Sequence, residues 1–304
     1  MRSALAMWLG VSALTAGELC AQTVTLFTED FDGLAGSLIP PVNECYSLRP
    51  PAEHPSLCGW LGVWTDTPPS GWSVDDTGVP GYDQGVPGNA ADNDGVTEWV
   101  GWSFAKKDWW VAVAGDQNRS QFTKGVGIVA IADPDEWDDA NHPQKASGWT
   151  APGDLYYDAW MSSPTLAIPA GATAGSITMT FDSSWRPEGF DDGAGAQDNN
   201  QTAVITVSYD GGPEIEVLRW DSQQGGPYFH PDSTNETVTI PLNNPDGATN
   251  LKLKFGLLMA RNDWWWALDN ISVRNQGTPF YTQNFESLNN VATLRPAEEE
   301  AGPP

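Results

Sequence analysis

Positive charge is what this chain has least of. Lysine and arginine number 14 against 40 aspartates and glutamates in 304 residues, a formal charge of −26. Partners held through phosphate contacts, whether nucleic acid or an anionic membrane surface, are disfavoured by that balance. Histidine is nearly as scarce. His54, His142 and His230 lie far apart, each followed by proline, without the close His/Asp spacing of a zinc or binuclear phosphoesterase centre. No GxSxG elbow, HExxH helix, Walker loop or activated-cysteine context occurs, so no residue is assigned a catalytic role. Long amphipathic helical periods are missing too, and after the first 21 residues no apolar run is long enough to span a bilayer.

Glycine, proline and tryptophan are plentiful, at 31, 24 and 16 residues. That composition predicts many short strands joined by turns, an all-β chain long enough to bury a full core. Arg2, the apolar run from Ala4 to Ala16 and the ending Cys20-Ala21-Gln22 have signal-peptide grammar, so residues 1–21 are expected to be removed on export. A lipoprotein reading of Cys20 is the alternative, but Glu18-Leu19 suits it poorly. Cleavage after Ala21 leaves Cys45 and Cys58, whose separation suits a loop-closing disulfide contributing roughly 2–4 kcal/mol in an oxidising compartment. Two free thiols are the alternative.

Along the chain, residues 24–34 (VTLFTEDFDGL) alternate as a first strand whose close-set Glu29, Asp30 and Asp32 form a candidate metal edge. Residues 35–95 read as long loops, and Asp92-Asn93-Asp94-Gly95 as a turn. Residues 98–123 combine aromatic pairs with Lys106, Lys107 and Arg119. A buried strand over Val126–Ala132 then breaks at Asp133, Asp135, Glu136, Asp138 and Asp139, five carboxylates that a cation would relieve if they do not form a solvated loop. Strands are expected at 154–168, 175–182, 202–209, 214–220, 237–242 and 251–259, with Asp210-Gly211-Gly212 as a hairpin turn. About nine to eleven strands in all fit two packed antiparallel sheets.

The last strand holds Arg261–Val273, RNDWWWALDNISV. Alternation places Trp264 and Trp266 on one face and Trp265 on the other. Asp269-Asn270 interrupt its apolar run, and a polar pair there needs a partner: a calcium ion, or hydrogen bonds at a strand bend.

The tail restates the head. Phe27-Thr-Glu-Asp-Phe31-Asp32-Gly-Leu34 is matched in chemical type by Tyr281-Thr-Gln-Asn-Phe285-Glu286-Ser-Leu288, and Leu48-Arg49-Pro50 by Leu294-Arg295-Pro296. Unless chance produced it, this repeat implies one module over 22–275, followed at 276–304 by a linker and the first strand of an incomplete second module.

Phe31-Asp32, Asp158-Ala-Trp-Met-Ser-Ser-Pro164 and Ala267-Leu-Asp-Asn-Ile-Ser-Val273 together resemble the jelly-roll modules of the cleaved-adhesin and MAM-like group. A more specific likeness, to the module preceding the catalytic domain in some exported bacterial metallophosphoesterases, rests on Gly101-Trp102-Ser-Phe104, Asp116-Gln117-Asn-Arg119-Ser120, Asp133-Pro-Asp135-Glu136 and Asn262-Asp263-Trp264-Trp265-Trp266. The resemblance implies a concanavalin-like jelly-roll sandwich with a structural calcium near Asp32 and Asp269. Glu29, Asp133 and Asp135 complete the candidate metal ligands.

The expected function is binding: a secreted or cell-surface, non-catalytic adhesin-like module recognising carbohydrate or another surface polymer. Trp109, Trp110, Trp137 and Trp149, in or beside polar loops, are the candidate sugar-stacking residues, with core packing as the alternative for each. Strand addition by 279–288 to a neighbour's sheet and a fragment of a fused hydrolase, phosphoesterase or glycosidase are the alternative functions.

Overall fold

The computed structural model describes residues 62–79, 99–139, 156–188, 200–260, 263–289 and 293–294. Glu29, Asp32, Cys45, Cys58 and Trp149 therefore lie outside the described residues. Within them run thirteen strands. These are β1 Trp64–Thr65, β2 Ser73–Gly78, β3 Ser103–Lys106, β4 Ile128–Ala132, β5 Tyr157–Ser162, β6 Leu166–Ala167, β7 Ile177–Trp185, β8 Thr202–Tyr209, β9 Ile215–Asp221, β10 Ser233–Pro241, β11 Asn250–Ala260, β12 Trp266–Asn275 and β13 Thr278–Gln283.

They pair antiparallel into two sheets. One has the order β1-β3-β4-β12-β7-β10 with β13 also on β12, and the other β2-β5-β11-β8-β9 with β6 also on β11. This is the expected jelly-roll β-sandwich. Alternation decides what each strand contributes to the interior: in β11, Leu251, Leu253, Phe255 and Leu257 turn inward, and Lys252, Lys254 and Gly256 share the opposite face. Between the sheets, Trp72 packs against Phe255 and Phe285, and Phe285 packs against Phe104.

β12 is shared along one side by two strands placed end to end. Trp266–Leu268 pair with β4, and Ile271–Asn275 pair with β13. Between them Asp269-Asn270 form an irregularity against β7, with Asn270 at φ 53°. Within the 276–304 segment, Thr278–Gln283 add a strand to this sheet, and Phe285, Leu288 and Leu294 lie in the core.

The three tryptophans divide differently from a regular strand. β12 starts only at Trp266, whose indole N–H donates to Ser183 Oγ on the inner side and whose ring meets Trp102 and Trp220. Trp265 goes to the other side, donating to Ser184 Oγ. Trp264, before the strand, packs edge-on against Trp265 rather than sharing the Trp266 face.

Two short helices depart from an all-strand reading: α1, Lys107–Val113, and α2, Pro134–Asp139. The second was legible. Proline at the first helical position and Asp135 and Glu136 in the first turn suit a helix start, where unpaired amides and the dipole favour negative charge. Among the described residues no helix is long and apolar enough to cross a membrane.

Candidate functional site

The acidic run after β4 does meet a cation, and it is Arg119. Its guanidinium donates from Nε to Asp133 Oδ2 at 3.0 Å and from Nη2 to Asp133 Oδ1 at 3.1 Å and Asp135 Oδ2 at 3.0 Å. Glu136 Oε1 lies 2.9 Å from Nη2, and Nη1 donates to the Ala114 carbonyl and to Gln117 Oε1. Arg119 and Asp133 are wholly buried. Trp110 closes the group, its N–H donating to Asp133 Oδ2 at 2.7 Å, and the Trp265 ring centre is 4.3 Å from the guanidinium carbon. Burial pushes the Asp135 carboxyl up to about 8, with the charge of Asp133 adding to it.

The expected metal ligands Asp133 and Asp135 are thus brought together with Glu136: their carboxylate oxygens lie within 4.8 Å of one another, a grouping that could hold a metal ion and that here meets the Arg119 guanidinium. Burial corrects the stacking assignment. Trp109 and Trp110 are 0% exposed and Trp137 3%. Trp109 stacks on Trp99 at 5.4 Å, Trp110 meets Trp265 edge-on, and Trp137 meets Tyr157. These rings have no face left for a sugar.

Asp269 sits at the break between β4 and β13. Its Oδ2 accepts from the Val126 amide at 3.0 Å and its Oδ1 from the Asn270 amide at 2.7 Å. Glu286, just past β13, accepts from the Ile128 amide. Burial raises the Asp269 carboxyl to about 8, and the charges of Glu286 and Asp182 push the same way. Glu286 is the residue that matches Asp32 in the head-to-tail repeat. Asp32 itself lies outside the described residues. Gly127 makes room for the Glu286 carboxylate: at φ +66° its place for a Cβ lies 1.9 Å from Oε1.

The surface suited to a ligand is the outer face of the β2-β5-β11-β8-β9 sheet, and its central residue, Trp160, was missed. In β5, Tyr157, Ala159 and Met161 turn inward, leaving Asp158 and Trp160 outside. Trp160 pairs with Gly256, and a Cβ there would lie 2.6 Å from the six-membered indole ring, so the missing side chain is what lets the ring lie across the sheet. Lys254 Nζ is 4.4 Å from the ring centre. Reading across the sheet, the row is Asp75, Trp160, Gly256, Val204, Arg219. From Trp160 to Arg219 are three strand spacings, about 14 Å.

Polar groups surround the ring. The Thr77 hydroxyl and amide donate to Asp75, holding its carboxyl below its ordinary value and therefore ionised. Asp158 Oδ1 accepts from the Met259 amide. Beyond Val204, Arg219 pairs with Glu216 at 2.7 Å and lies 5.8 Å from the ring centre of Tyr228, which is 51% exposed. Partly open indole, flanking carboxylates and amines, and a second aromatic down the row can offer stacking to apolar ring faces and hydrogen bonds to hydroxyls.

No known protein family and no curated protein matches the sequence. Among solved structures the chain is similar to TmCBM61 in complex with beta-1,4-galactotriose, at 13% identity and a TM-score of 0.34, covering 68% of this chain and 89% of that one. It is also similar to the enzymatically active domain of bacteriophage CBA120 tailspike protein 4, at 10% identity and a TM-score of 0.33, covering 68% of this chain but 19% of that one. A CBM4 structure is matched at 16% identity and a TM-score of 0.23 over 41% of this chain and 86% of that one.

Proposed function

We propose that this chain is an exported, non-catalytic module that binds polysaccharide across the outer face of its β2-β5-β11-β8-β9 sheet. The observation carrying the reading is Trp160 laid over Gly256, with Asp75, Asp158 and Lys254 around it. A strand that spends a tryptophan on its polar face, opposite a glycine, has placed the indole where solvent or a ligand meets it. Signal-peptide grammar at residues 1–21 supports export.

A structural calcium at Asp269 belongs to the same proposal. Asp269 with Glu286 supplies hard anionic oxygens whose mutual repulsion in a buried setting a divalent ion would relieve. The ion would be structural, tying the end of β12 to the strand beside it.

Affinity electrophoresis through gels containing neutral and acidic polysaccharides tests the binding reading. Wild-type protein should be retarded by at least one polymer, and Trp160→Ala should run freely while melting as the wild type does. Equal retardation of both proteins would place the binding elsewhere, and no retardation on any polymer would remove carbohydrate as the ligand.

A further inference from the structure

The ladder between β12 and β13 is broken once. Arg274 pairs with Pro279 and Val273 with Tyr281, so Phe280 is the extra residue of a bulge, and Pro279 has no amide to give its partner. On β12, Ile271 and Val273 are in the core, which turns Asn270, Ser272 and Arg274 to the outside. Over the break lies a cleft of about 260 Å³, lined by these three residues with Pro279, Thr282 and Asn284. It opens on the outer face of the β12 sheet, on the other side of the sandwich from Trp160.

Arg274 brings a positive charge to this cleft, and its charge is not spent on the protein. Its Nε donates to Ser272 Oγ at 3.1 Å, which fixes the plane of the guanidinium. Among the described residues no carboxylate pairs with it and nothing accepts from its two Nη groups. Other cations here are occupied: Arg119 by three carboxylates, Arg219 by Glu216, Lys254 by Glu214, and Arg186 by the Trp264 ring 3.8 Å away. In a chain with 40 acids and 14 bases, an arginine without an acid is the exception. Its cross-strand neighbours, Thr178 and Pro279, are uncharged. The acid of β7, Asp182, is four residues from Thr178, about 13 Å along the strand, and already accepts from Thr237 and Asn270.

We propose that this cleft binds a single uronic acid residue of a glycan, its carboxylate taken by the free Nη edge of Arg274 and its hydroxyls by Thr282 and Asn284. A planar fork held at Nε matches the two oxygens of a carboxylate. The Pro279 ring offers an apolar edge to the C–H face of the sugar, and the volume suits one ring rather than a chain. A formal charge of −26 repels a polyanion at a distance, so the fitting ligand carries one isolated acid, at a chain end or among neutral sugars. This goes beyond the proposed binding across the Trp160 face and does not rest on it, because the two outer faces look in opposite directions.

The test is a titration of the isotope-labelled full chain with sodium glucuronate at low salt, followed by magnetic resonance. The arginine Nε–H signal that Arg274→Gln removes should shift. Affinity should fall roughly 10- to 100-fold in Arg274→Gln, and also fall in Arg274→Lys, which keeps the charge and loses the fork. Both variants should melt as the wild type does, since Arg274 gives the protein one hydrogen bond. Trp160→Ala should bind glucuronate unchanged, which keeps this site separate from any failure of the other face. Glucuronamide, the uncharged amide, should bind at least about 10-fold more weakly than glucuronate. No shift with glucuronate, wild-type affinity in Arg274→Gln, or equal binding of glucuronamide would overturn the proposal. Sodium acetate binding as tightly as glucuronate would overturn the sugar and leave a site for a bare carboxylate.

Discussion

Arg119 and Asp133 are joined by two hydrogen bonds, Nε to Oδ2 at 3.0 Å and Nη2 to Oδ1 at 3.1 Å, with both side chains fully buried. Their pairing fixes the turn after α1 to the end of β4 and lets Asp135 and Glu136 come inward as well. Replacing Arg119 with methionine would leave buried carboxylates without their cation, so a loss of about 3–5 kcal/mol is expected from urea unfolding. A loss under about 1 kcal/mol would mean that another cation takes its place.

Trp160 and Gly256 give a prediction that separates binding from stability. Trp160→Ala should weaken polysaccharide binding by roughly 10- to 100-fold. Gly256→Ala should weaken it too, because the added methyl would lie 2.6 Å from the indole and push it off the sheet. Isothermal titration with whichever polymer retards the wild type measures both; unchanged affinity in Gly256→Ala would show that the ring need not lie as it does.

Acidity should stabilise this chain more than most. Burial holds the Asp76 carboxyl up at about 7 and the Asp269 carboxyl up at about 8, against an ordinary value of 3.8. Below pH of about 4 both are protonated whether folded or not. As pH rises, the unfolded chain releases its protons first, so stability falls until the folded groups ionise. Calcium-free protein should therefore melt higher at pH 5 than at pH 8. Asp76→Asn should flatten that slope; a slope unchanged by the substitution would assign it to other groups.

Calcium should act on the same break in β12. Melting should shift up by several degrees in millimolar calcium relative to chelator, as binding to the folded state alone requires. Asp269→Asn should abolish the shift. Superimposed curves for the wild type would leave Asp269 as a hydrogen-bonded residue at a strand bend.

The strands were largely legible, because each long one carries its own alternation. Thr202–Tyr209 falls where its period puts it, and the turn at Asp210 follows. What sequence alone hid was the cross-chain partner. Nothing local says that Arg119 reaches Asp133, so the acidic run read as a metal site or a solvated loop. Polar neighbours made Trp109 and Trp110 look exposed, whereas one turn of α1 turns both rings inward. Trp160 could have been found: in Tyr-Asp-Ala-Trp-Met-Ser it shares a parity with Asp158 and Ser162, the polar set. The tail reads as a repeat of the head, but only the ladder with β12 shows where the tail's own strand goes.

The segregation of indoles has an optical consequence. Trp102, Trp185 and Trp266 sit in one buried aromatic cluster and Trp110 and Trp265 in another, and all five should emit at short wavelength, insensitive to dissolved quenchers. Trp160, on the far side of the opposite sheet, is only partly covered. Iodide or acrylamide should thus dim a red-edge component, and the part of it that Trp160→Ala removes should be shielded by a bound polymer, giving a label-free signal of occupancy already built into the protein.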